Sequence, residues 1–201
     1  MRKSITALAV VSVLALAGCS AGGTADIETP DGAAVDAKTK EPATDGNADE
    51  APAAEVGSRE NPAPAGSTAT LTDWTVVVGA TNRDALADVM AANQFNSPPV
   101  EGRAFVMAPV TATYTGTDSG TAWVSLGIHF VSGAGQTYGT GVDDYCGVIP
   151  SGLSDTGELY GGATATGNVC VSVPAAEVEG GAWVVENQLA FDDVKAFFAL
   201  Q

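Results

Sequence analysis

Three cysteines, one histidine and the adjacent acids beside one of the cysteines, with Asp192-Asp193 as another such pair, are the residues of this 201-residue chain whose types and spacing could do chemistry. Cys146 and Cys170 form an even pair once Cys19 is assigned elsewhere, and in an oxidising compartment such a pair is expected as a disulfide. Closing a loop of about 25 residues would stabilise the fold by roughly 3.5 kcal/mol through lost chain entropy. Metal binding by the two thiolates lacks further ligands, because His129 is the only histidine in the chain. Asp143-Asp144-Tyr145 stands directly before Cys146, so two carboxylates and a phenol would be held on a loop fixed by the bridge. Oxygen ligands on a rigid loop suit calcium, but no Asp-x-Asp-x-Asp-Gly series is present to supply a full shell. Trp123 and His129 fall on the same side of an alternating segment and form a second candidate binding pair. No Gly-x-Ser-x-Gly elbow accompanies His129, and no strand–glycine–helix phosphate cradle is present, so catalytic residues are assigned to none of these positions. No cofactor is expected.

Cys19 calls for a different chemistry. It follows Leu16-Ala17-Gly18, which closes an apolar run from Ile5 that is itself preceded by Arg2 and Lys3. A basic start, a short apolar stretch and small residues at the cut make an export signal, and the run is too short to span a bilayer. Leu-Ala-Gly-Cys is the lipobox pattern, in which the thiol is acylated and the chain is cleaved before the cysteine. Residues 1–18 are therefore expected to be removed, leaving Cys19 held in the membrane by two or more acyl chains, each buried CH2 adding about 0.8 kcal/mol. The expected location is the outer face of the cytoplasmic membrane.

Composition divides the rest. Residues 20–57 hold Ala, Gly, Thr, Pro, Asp and Glu, with nine acids against Lys38 and Lys40 and no aromatic residue. Such a stretch buries too little apolar surface to offset its ordering entropy, so residues 19–57 read as a lipidated, disordered acidic tether. A coil of this length would reach roughly 35 Å. Residues 58–201 are long enough for one domain with its own core. Fifteen acids against Arg59, Arg83, Arg103 and Lys195 make that domain strongly acidic. This excludes a nucleic-acid footprint and disfavours a face lying on anionic lipid.

Period-two alternation dominates residues 58–201. Ala104, Val106, Ala108, Val110, Ala112 and Tyr114 share one face of a strand that Pro109 must interrupt or place at an edge. In residues 122–131, Val124, Leu126, Ile128 and Phe130 face one way, and Trp123, Ser125, Gly127 and His129 the other. Further strands are expected over 69–80, 136–139, 163–173, 182–189 and 195–200. Residues 84–93 read instead as a short helix capped by Asp84, with Leu86, Val89, Met90 and Asn93 on one side. The expectation is an all-β, immunoglobulin-like antiparallel sandwich of about seven strands, with one short helix after the first. The bridge would tie the loop 143–150 to an outer strand face, because Cys170 opposes Val169, Val171 and Val173 on its strand.

Gly57-Ser58-Arg59-Glu60-Asn61-Pro62, Asp73-Trp74-Thr75-Val76, Phe95-Asn96-Ser97-Pro98-Pro99 with Gly102 and Phe105, Tyr138, Asp143-Asp144-Tyr145-Cys146-Gly147 with Pro150, Gly167-Asn168-Val169-Cys170, Val173-Pro174, Phe191 and Phe197-Phe198 occur in a characteristic order. In these residues the chain resembles the telokin-like, immunoglobulin-like domains of unknown function of exported lipoproteins of Gram-positive bacteria, notably actinobacteria. The resemblance implies a β-sandwich on a cell-surface lipoprotein and supplies no catalytic residue. The functional expectation is a non-catalytic module that binds a protein or cell-wall partner. The alternatives are an accessory subunit of an envelope transport or secretion system and, further off, a carboxylate-based hydrolase or a metal-binding protein.

Overall fold

The computed structural model describes residues 23–30 and 54–201. Cys19, the expected signal segment and most of the expected tether lie outside these residues.

Two antiparallel sheets face each other. The first has five strands in the order β1 (Asp26–Glu28), β2 (Thr68–Leu71), β3 (Trp74–Val78), β4 (Arg103–Tyr114) and β9 (Thr164–Pro174). The second has four in the order β11 (Lys195–Ala199), β10 (Ala182–Asn187), β6 (Leu126–Val131) and β7 (Thr137–Tyr138). A two-residue ribbon of β5 (Ser119–Gly120) and β8 (Leu159–Tyr160) closes one end. Helix α1 (Leu86–Ala92) follows β3, and a helical turn α2 (Ala122–Ser125) precedes β6. The chain is an all-β sandwich with nine strands in its two sheets, more than the seven the spacing suggests.

The core follows from the alternation. Val106, Ala108, Val110, Ala112 and Tyr114 of β4 face inward with Val76, Val78, Val171 and Val173. From the opposite sheet come Phe130, Trp183, Val185 and Phe198. Trp74 meets Tyr114 and Phe130 meets Trp183, edge to face, at centroid distances of 5.1 and 5.8 Å. Pro109 is tolerated inside the interior strand β4 because its nitrogen points toward Gly79, beyond the last ladder residue of β3.

Four expectations are corrected here. Residues 69–80 are a hairpin rather than one strand: Asp73 turns the chain at φ 61°, a left-handed conformation Asp adopts more readily than most residues. Residues 122–125 form a helical turn, so Trp123 does not share a strand face with His129. Helix α1 is not capped by Asp84 and buries Ala85 and Val89, whereas Leu86 and Met90 are left exposed. Residues 23–30 belong to the sandwich rather than to a disordered tether. Asp26, Ile27 and Glu28 pair with Thr70, Ala69 and Thr68, and Ala25 donates to the Lys195 carbonyl. Ala25 is buried and Ile27 packs on the core, so this segment bridges both sheets along their open side. Residues 54–57 belong to the same closure, with Phe197 donating to the Gly57 carbonyl.

Candidate functional site

The outer face of the first sheet carries a second, smaller apolar cluster. Phe105 and Met107 of β4 point outward, the reverse of their neighbours in the main core. In register with them on β9 stand Ser172 and Cys170. Ala85 and Val89 of α1 cover this pair from one side, and Cys146 covers it from the other. The Cys146–Cys170 disulfide, with Cα atoms 6.0 Å apart, ties the loop after β7 to the outer face of β9. The bridge therefore lies outside the inter-sheet core, as the side-chain alternation of β9 predicts.

Polar side chains then lock two loops onto the cluster. Asn96 donates to the carbonyls of Val89 and Val148, at 2.6 and 2.7 Å, and accepts from the Val148 amide at 3.0 Å. Gly147 must stay glycine there: its φ is +85°, and a Cβ would stand 2.5 Å from Asn96 Oδ1. Arg103, at the start of β4, donates to Asp144 at 2.6 Å and to the Ser172 hydroxyl at 3.0 Å. Its guanidinium also lies 5.6 Å from the Tyr138 ring centroid. Burial alone would raise the Asp144 carboxyl. The amides of Gly139 and Gly141 and the Arg103 guanidinium outweigh it and hold the group below its usual range. Tyr138 donates to Glu177, and burial together with this bond pushes the phenol upward.

These pinned loops present several large apolar side chains outward, among the exposed polar residues Gln94, Ser97 and Asp143. Phe95 is 83% exposed, Val142 95% and Tyr145 74%, with Val100 and Val148 also open to solvent. A groove of about 300 Å³ runs between the loops, lined by Phe95, Pro98, Pro99, Val142 and Tyr145. Scattered exposed aliphatics are ordinary, but here Phe95, Val100, Val142 and Tyr145 gather around one groove.

The five sequence candidates separate into two places. Asp143 and Tyr145 lie at the groove and are exposed. Asp144 is corrected from candidate ligand to loop anchor, since one carboxylate oxygen pairs with Arg103 and the other accepts two amides. Trp123 and His129 line a different cleft, of about 290 Å³, between β6 and β9. Burial lowers the His129 pKa, the Glu186 charge opposes this, and Lys195 adds to the lowering. Its Nδ1 has no hydrogen-bond partner among the described residues. A depression of about 260 Å³ bearing Tyr145, Ile149, Ser154 and Cys170 joins the cleft to the groove. Among the described residues, no group of three or more His, Cys, Asp and Glu side chains could hold a metal ion. Sequence reasoning placed Val142 in the candidate loop but missed Phe95, Val100 and Val148 as surface residues. Only Phe95-Asn96 carried a signal, as a motif inside a Pro-rich loop.

No family model matches the chain, and no curated protein matches it. Similar solved structures include a conserved hypothetical protein from Bacillus anthracis, at 13% identity and TM-score 0.42, covering 66% of this chain and 92% of that one. An uncharacterized beta-sandwich protein from Clostridium difficile 630 is similar at 10% identity and TM-score 0.40, covering 70% of this chain and 95% of that one.

Proposed function

We propose that this chain is a lipid-anchored extracytoplasmic protein whose sandwich is a non-catalytic binding module, with the disulfide-stapled groove as its recognition surface. The anchor reading rests on Leu16-Ala17-Gly18-Cys19 behind a short apolar run. The binding reading rests on one observation: apolar side chains held outward by loops that a disulfide, Asn96 and the Arg103–Asp144 pair fix in place. Pre-organised apolar surface loses little entropy on association, which is what a recognition patch requires. Two rings among three valines suit an apolar protein segment better than a sugar, which would favour flat aromatic platforms. The strong negative charge of the domain keeps like molecules apart and favours a neutral or basic partner.

The test is a photo-crosslinking residue placed at Tyr145 in intact cells, with Thr111 on the polar outer face of β4 as control. One dominant adduct from position 145, lost when Phe95→Ser is added and absent from position 111, is the expected result. Equal and diffuse crosslinking from both positions would remove the groove from the account.

A further inference from the structure

The path of the N-terminal segment orients the molecule. Gly23 accepts from the Lys195 amide, Thr24 lies beside Lys195 in parallel, and β1 then runs antiparallel to β2. The chain thus joins the sandwich at the end that holds the Thr72-Asp73 turn, the ribbon of β5 and β8 and the loop 188–194, and runs away from it. Ser20, Ala21 and Gly22 are the only residues between Cys19 and Gly23. Four Cα steps at about 3.3–3.6 Å reach at most about 14 Å. An acylated Cys19 would therefore hold this end, and not a distant tether tip, against the bilayer.

The same end exposes apolar side chains at its loop tips. Phe191 is 93% exposed, and Leu189, Val124, Tyr160 and Trp123 are open to solvent. Gln188 donates to the Ser125 carbonyl and Thr72 to Asp192, so the loop and the α2 turn sit side by side. Phe191 holds φ 56°, a left-handed conformation costly for a bulky residue, while its ring projects into solvent.

From these two observations we infer that the end formed by the loop 188–194 and the α2 turn is a bilayer-docking face, with Phe191 and Leu189 entering the headgroup region and Trp123 lying at the interface. The inference rests on the lipid-anchor reading above. Tryptophan and tyrosine favour this depth because each has an apolar body and a polar tip. Asp192, Asp193, Asp118 and Glu158 share this end and are repelled by anionic headgroups. The contact is therefore apolar, depends on the acyl anchor for its effective concentration, and weakens as anionic lipid is added.

Trp123 is itself the reporter, since Trp74 and Trp183 are buried. Acylated full-length protein would be reconstituted into phosphatidylcholine vesicles carrying a headgroup nitroxide lipid, and tryptophan emission followed. The expected result is loss of most of the emission component that Trp123→Phe removes. Phe191→Ser with Leu189→Ser should restore that component when a long Gly/Ser segment is also inserted after Gly22. Acylated, vesicle-bound protein whose Trp123 is open to acrylamide and untouched by the nitroxide would overturn the docking face alone. Absence of acylation by mass measurement would overturn the anchor reading and the docking face together.

Discussion

The stapled groove and the loop end at residues 188–194 expose the same kinds of side chain on opposite kinds of frame. At the groove, Phe95 and Tyr145 stand on loops crossed by a disulfide, three Asn96 hydrogen bonds and a largely buried ion pair. At the loop end, Phe191 and Asp193 are both left-handed and flank Asp192, and hydrogen bonds from Thr72, Val194, Gln188 and the Asn187 side chain hold the loop without a covalent cross-link. Six residue steps of β9 separate Cys170 from Thr164, so the two regions lie about 20 Å apart along the strand. Under the proposed reading, the two frames suit two kinds of contact. A pre-organised patch selects one partner shape. A loop tip with no disulfide and no buried ion pair suits a soft, featureless surface such as a bilayer.

Removing the staple should separate the two regions most. Cys146→Ala with Cys170→Ala is expected to cost about 3.5 kcal/mol by loop entropy, read in a denaturant titration. Hydrogen exchange should quicken at residues 93–102 and 139–149 and stay unchanged at 188–194. Equal quickening in both would show that the disulfide supports the whole sandwich rather than the groove.

Arg103→Met should come next, at about 3 kcal/mol, because it leaves a largely buried carboxylate without its cation. The effect has a pH signature. Asp144 has a lowered folded pKa, so its contribution is complete above its unfolded value near 3.8 and is lost as pH falls through the folded value. The stability gap between the wild type and Arg103→Met should be constant from pH 5 to 7 and narrow below about pH 4. A gap that persists unchanged in acid would mean that Arg103 acts through packing on Tyr138 and not through Asp144.

The smallest effect belongs to the loop end. Phe191→Gly relieves a left-handed backbone and removes an exposed ring, while adding freedom to the unfolded chain. Stability should change by less than about 1 kcal/mol, toward gain, in thermal unfolding. A clear loss would reveal packing of Phe191 that its exposure does not suggest.

Much of this architecture is legible in the sequence because burial and alternation coincide there. In β4, every second residue from Val106 to Tyr114 is buried, and β9, β10 and β11 fall within a residue or two of their expected spans. The misses share a physical cause. Asp26-Ile27-Glu28 has one apolar side chain, and its partners lie some forty residues away, so neither composition nor local pattern marks it as a strand. Ala122-Trp123-Val124-Ser125 alternates as well as any strand, and only the turn at Thr121 makes it helical. The Thr72-Asp73 turn lacks glycine, because Asp73 supplies the left-handed conformation. The groove was hidden for another reason. Phe95 and Val142 are single apolar residues in loops and Val148 stands only beside Ile149, and their exposure follows from Asn96 and Arg103 bonds that span 52 and 41 residues of chain.

The proposed orientation sets one end of the sandwich against the bilayer and turns the stapled groove away from it. The most direct measurement places a fluorescent non-natural residue at position 191 or at position 145 of the acylated protein on supported phosphatidylcholine bilayers. Energy transfer to a membrane-surface acceptor then gives the height of each. The account predicts position 191 at the headgroup plane and position 145 higher by about the 20 Å of strand that separates them. Equal heights, or position 145 the lower of the two, would contradict it.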